Sequence, residues 1–108
     1  MPIYISLVSF TQKGIKNIKE SPKRLEKVKS VIKAAGCELK AFYLTMGRYD
    51  IVIISEAPND KVYATTMLAI GAAGNVRSET LKAFNEREYI DIVASIPQPQ
   101  PVPGGGEQ

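Results

Sequence analysis

The chain predicts an α+β fold: a four-stranded antiparallel sheet with its two main helices on one face. Three observations carry that expectation. Apolar residues alternate with a period of two in several short runs. One run, Ile51 to Ile54, is β-branched throughout and reads as a central strand. Two stretches between these runs carry apolar residues at helical spacing, bounded by residues that start and stop helices. At 108 residues the chain forms one domain with a modest core, small enough to gain from self-association.

Ile3, Ile5 and Leu7 alternate with Tyr4, Ser6, Val8 and then Phe10, so the first strand offers apolar side chains on both faces and is expected to be covered on both. Thr11 caps a helical turn through Ile15 and Ile18. Ser21-Pro22 predicts an N-cap followed by proline at the first helical position, where a missing N–H is tolerated. The helix behind it aligns Leu25, Val28, Ile32 and Ala35, and Gly36 is a natural left-handed stop. Residues 37–46 form the second strand, with Phe42 and Leu44 on one side and Leu39, Ala41 and Tyr43 on the other. The joint Gly47-Arg48-Tyr49-Asp50 leads into the third strand, Ile51 to Ser55. Ala57-Pro58-Asn59-Asp60 breaks the pattern, and Asn59 or Asp60 caps a helix from about Lys61 to Ala73. Val76 to Phe84 is the fourth strand, and Asn85 with Glu86, Arg87 and Glu88 opens a C-terminal helix reaching Ile96.

That order, strand-helix-strand-strand-helix-strand, is the ferredoxin-like βαββαβ sandwich. Its second sheet face must be covered, bind a ligand or be polar. With apolar residues on both sides of the first strand, the expectation is a dimeric α+β barrel, a homodimer with sheets packed face to face. The domain spans 1–96. Residues 97–108, where four prolines alternate with other residues before a run of three glycines, are expected to form an extended, disordered tail.

Composition excludes a good deal. There is no histidine, so the commonest general base and metal ligand is missing. One cysteine, Cys37, makes no internal disulfide and no ordinary zinc site, and reads as a small buried hydrophobe in a reducing, cytoplasmic setting. No apolar stretch approaches the roughly 20 residues of a membrane span, and no signal segment opens the chain. Walker, Rossmann and nucleophile-elbow motifs are absent, and Gly71-Ala72-Ala73-Gly74 reads as helix packing and a helix end. No cofactor or metal is expected. Nucleic acid is not expected as a partner either: the third strand lacks the stacking aromatics of RNA-recognition sheets. Charge is uneven, with nine basic and three acidic side chains in residues 1–40 against five and eight in 41–108. A solvated helix face accounts for the basic block; complementarity between copies, or attraction of an anionic ligand, is the sharper reading.

The candidate site residues are Tyr43, Arg48, Tyr49, Asp50, Asn75 and Arg77. A tyrosine beside a carboxylate in a cleft can bind or polarise a carbonyl or phenol, with Arg48 compensating charge. The competing structural reading has Gly47 allowing the turn, Tyr49 packing on the sheet end and Asp50 accepting backbone N–H groups. Arg77 suits a carboxylate, a phosphate or a neighbouring acid such as Asp50 or Glu79. Asn75 suits a left-handed position at a helix end. Thr65 and Thr66 either line a pocket or bond back to their own helix.

The blocks Pro2 to Leu7, Gly14 to Lys19 with Ser21 to Arg24, Phe42 to Asp50, and Gly74 to Ser78 together resemble the GYD-domain family. Its Gly-Tyr-Asp signature stands here in a spaced form, with Arg48 between Gly47 and Tyr49. The resemblance covers residues 2–94 and implies a small ferredoxin-like, oligomeric, cytosolic protein with no particular reaction. The leading expectation is a non-catalytic oligomeric module that binds itself and a small anionic or aromatic ligand or a protein partner. The alternative is a cofactor-independent oxygenase or isomerase acting on a small aromatic or carbonyl compound, a reading that rests on fold analogy.

Overall fold

Strand β1 (Ile3–Phe10) occupies an inner position of a four-stranded antiparallel sheet of order β2-β3-β1-β4 in the computed structural model, which describes residues 1–99. The remaining strands are β2 (Glu38–Leu44), β3 (Ile51–Glu56) and β4 (Val76–Ala83). Between them lie α1 (Gln12–Lys16), a 3-10 turn (Ile18–Glu20), α2 (Ser21–Ala34) and α3 (Asp60–Ala72), and α4 (Glu86–Ala94) follows the last strand. The expected ferredoxin-like architecture is present. The tail expected at 97–108 falls, beyond residue 99, outside the described residues.

The sheet faces differ. Toward α2 and α3 point Tyr4, Ser6 and Val8 of β1 and Ile51, Ile53 and Ser55 of β3, all buried. Ile3, Ile5, Leu7, Val52 and Ile54 point the other way and stay half-exposed, so β1 is fully covered on one face only. The core divides in two. Tyr4, Ile32, Cys37, Ala57 and Tyr63 form one cluster beneath α2 and α3, and Val8, Ile51 and Ile53 form another toward the β2–β3 turn.

Several local expectations need correction. Ser21 is not a cap: it is already helical at φ −56°, ψ −42°, because the 3-10 turn runs directly into α2, whose N-cap position is Glu20. A register shift between Leu39 and Ala41 lets Leu39 join Phe42 on the helix side, where it packs against both clusters, leaving Ala41 and Tyr43 on the open face. Asn75 is not left-handed; Gly74 takes that conformation at φ +84°. Gly71 makes no close packing, since a Cβ there would meet nothing within 4 Å. Other expectations hold. Thr11 caps α1, Asn59 caps α3, and Asn85 with Glu88 forms a reciprocal capping box on α4. Gly36 ends α2 at φ +81°.

Candidate functional site

The joint between β2 and β3 is built by backbone hydrogen bonds around Gly47, whose φ of +120° suits glycine. The Thr45 amide donates to the Asp50 carbonyl (2.8 Å), and the Thr45 hydroxyl donates to the Tyr49 carbonyl (2.7 Å). Asp50 then fastens the turn to β1. Its amide donates to the Val8 carbonyl (2.8 Å), and its Oδ2 accepts from the Phe10 amide (2.9 Å). The carboxylate completes the hydrogen bonding of β1 where the ladder with β3 ends. In this arrangement it faces backbone, the first-named structural role of the signature acid.

Tyr49 turns to the open sheet face. Its phenol donates to Glu79 Oε1 (2.7 Å), and this bond, helped by partial desolvation and the glutamate's charge, raises the phenol above the ordinary tyrosine range against the opposing pull of Arg48. The Arg48 guanidinium lies 5.7 Å from the Tyr49 ring centre, within cation–π reach. Strand register places Tyr43, Val52, Leu7 and Glu79 in one row across the sheet. The next row is Ala41, Ile54, Ile5 and Leu81, and Arg77 lies opposite Ser9 at the turn end. Tyr43, Arg48, Tyr49 and Arg77 therefore gather around one end of an apolar face, where Glu79 accepts from Tyr49. Among the described residues Arg77 has no ion-pair partner.

Asn75 lies elsewhere. Its carbonyl accepts from the Thr11 amide (3.0 Å), the Thr11 hydroxyl donates to the Gly74 carbonyl (2.5 Å), and Lys13 Nζ donates to the Ala73 carbonyl (2.9 Å). The start of α1 thus clamps the α3–β4 turn. Asn75 also borders a cleft of about 350 Å³ between α2 and α3, floored by Val8, Ile51 and Ile53. Arg24 and Lys27 stand among its lining residues, Arg24 bonded to the carbonyls of Asn17 (2.9 Å) and Gly14 (3.2 Å). Sequence reasoning missed this cleft, because periodicity marks Leu25 and Val28 as core without saying how closely α2 and α3 approach.

It also missed a polar knot in the first core cluster. Tyr4 and Tyr63 stack with ring centres 4.4 Å apart, and the Tyr63 and Ser6 hydroxyls lie 2.7 Å apart. The Tyr4 phenol donates to Asp60, which also pairs with Lys82 at 3.2 Å. Burial, then the bond to Asp60 and its charge, push Tyr4 up to about 12, while Tyr4 and Lys82 hold the Asp60 carboxyl below its usual range. Tyr4 and Ser6 in an otherwise apolar strand were the available signal. Thr65 and Thr66 bond back to the carbonyls of Lys61 and Val62, at 2.8 Å each. Cys37 is buried. Among the described residues no group of three or more acidic or cysteine side chains gathers to hold a metal, and no helix is long and apolar enough to cross a membrane.

The model of the GYD domain family matches residues 4–93, and the chain belongs to that family. A Thermus thermophilus protein described as a glutamine synthetase and cystathionine beta-lyase binding protein is 31% identical over 97 residues, covering 89% of this chain and 99% of its own length. Among solved structures, a feast or famine regulatory protein from M. tuberculosis, complexed with L-methionine, superposes with TM-score 0.60 at 15% identity over 79% of this chain. A leucine response regulatory protein from Mycobacterium tuberculosis gives 0.59 at 15% identity over 78%. The matched region is 51% of each regulator, and at this identity the likeness concerns the fold.

Proposed function

For this member of the GYD-domain family we propose the role of a non-catalytic module that self-associates through its open sheet face and binds a protein partner. The observation that carries this reading is that face: Ile5, Ile54, Leu7, Val52 and Leu81 lie side by side and stay half-exposed or exposed among the described residues. Pairing with a second copy would cover it and complete an α+β barrel. Tyr43, Arg48, Tyr49, Glu79 and Arg77 would then border the interface at one end. They supply aromatic rings and a guanidinium that has no partner acid among the described residues, chemistry that suits a carboxylate-bearing ligand or an acidic partner surface.

Two observations favour a module over the cofactor-independent enzyme. Asp50 is committed to the backbone of β1, and neither described cleft is lined by Tyr49, Asp50 or Arg77. The Thermus relative's description supplies a partner class to try, the glutamine synthetase and the cystathionine beta-lyase of the organism encoding this chain. Purified chain and each enzyme are mixed and separated by size exclusion. Co-elution, reduced in Arg77→Glu and unchanged in Lys61→Glu, is the expected outcome. Binding to neither enzyme, with no response of either activity, would remove the partner half of the proposal.

A further inference from the structure

Helix α4 and the cleft between α2 and α3 are both unfinished surfaces, and they match. Every residue of α4 is exposed, yet Tyr89, Ile92 and Val93, continued by Ile96 just past the helix end, follow the i, i+3, i+4, i+7 spacing of a face made for burial. A helix of 9 residues is shorter than the roughly 12–15 needed for even marginal stability alone in water, so a partner surface for its apolar stripe is required. We propose that α4 of one copy docks its apolar stripe into the α2–α3 cleft of another copy.

Dimensions, charge and reach support that occupant. Within α4 the stripe from Tyr89 to Val93 is about 6 Å long at 1.5 Å per residue, and Ile96 continues it just past the helix end. The cleft walls are long enough to take it, running from Ser21 to Val31 on α2, about 15 Å, and from Met67 to Ala73 at the end of α3, about 9 Å. Arg24 and Lys27 of α2 line the cleft with no acidic side chain among its lining residues, whereas α4 has Glu86, Glu88 and Asp91 against Arg87. A basic groove receiving an acidic amphipathic helix is both complementary and a familiar recognition mode. The helix does not seat this stripe in its own cleft. It departs from the β4 end at Ala83, opposite Ile3, whereas the cleft is lined by Phe10 and Val76 at the other end of the same strand pair. Seven residues of strand separate them, about 23 Å, and the capping box on Asn85 fixes the helix start two residues after the strand. The occupant is therefore a second copy.

The test uses full-length chains carrying Cys37→Ala, so that each has one introduced thiol. One chain, with an added size tag, carries Val31→Cys on the exposed lip of the cleft; the other carries Ile92→Cys. The two are mixed and mildly oxidised, after circular dichroism confirms that both fold. The expected result is a mixed disulfide dimer forming several-fold faster than either homodimer, slowed by high salt and by Lys27→Glu. Dimers joined only through Ile92→Cys would mean that α4 pairs with itself, and would overturn the proposal. So would the absence of any mixed dimer, or an intrachain bond in a chain carrying both cysteines. The inference is independent of the sheet-face reading: repeating the experiment with Leu7→Lys, which charges only the open face, should leave the mixed dimer intact.

Discussion

A Cβ at Gly14 would stand 2.1 Å from the Asn75 carbonyl oxygen, inside the contact that ties α1 to the α3–β4 turn. Gly14→Ala must push that turn away and weaken the Thr11–Asn75 bond, and overpacking of this kind typically costs about 1–3 kcal/mol. Gly71→Ala fills open space within α3 and should be neutral or stabilising by up to about 1 kcal/mol. Urea unfolding of both variants checks the pair, and equal behaviour would contradict the clamp. Tyr4 supplies a pH-dependent prediction. Its phenol holds its proton to about 12 when folded, against an ordinary value of 10.0. The unfolded chain deprotonates first, so the stability this group contributes is fully present below the ordinary value and is lost as pH rises through the folded one. Tyr4→Phe should flatten the fall in the urea midpoint across that window. An unchanged slope would count against the Tyr4–Asp60 pair. Gly14 was not legible as special in the sequence, and Tyr4 only as a polar residue in a largely apolar strand, because each matters through a partner more than fifty residues away.

At the scale of elements, the helices and strands were readable wherever a local pattern had a local cause. Thr11, Asn59 and Asn85 accept from backbone amides three residues on, and Gly36 closes α2. The misreadings arose where a neighbour decided. The 3-10 turn before Ser21 absorbed that residue into the helix, and pairing with β3 introduced the irregularity that turned Leu39 inward. In the candidate site, the turn built by Gly47 and Asp50 could be read from residue type. The Tyr49–Glu79 bond spans the sheet and could not, being set by strand order. Helix α4 depends unusually on its cap. Asn85→Ala removes the side-chain half of the capping box, the acceptor for the Glu88 amide, and should cost α4 about 1 kcal/mol. Slower mixed-dimer formation through Ile92→Cys, with an unchanged urea midpoint for the body, would show it; an equal loss throughout would mean that α4 is already part of the core.

For the whole molecule, the two helix–sheet interfaces account for one face of the sheet, and the apolar residues of the other stay half-exposed or exposed. The row Ala41-Ile54-Ile5-Leu81 is apolar throughout, and the row Tyr43-Val52-Leu7-Glu79 has apolar residues at its centre with Tyr43 and Glu79 at its two ends, as expected of an interface core and its rim. The uneven charge between the first and second parts of the chain then acquires a spatial meaning, with basic α2 on one surface and acidic α4 leaving from another. The most direct test of the central claim, self-association through the open face, is the solution mass of the purified chain by light scattering, alongside Leu7→Lys. The account predicts a wild-type mass of at least twice the 11.8 kDa of one chain, falling toward a smaller assembly in the folded variant. A wild-type mass of 11.8 kDa at all concentrations, unchanged by Leu7→Lys, would contradict it.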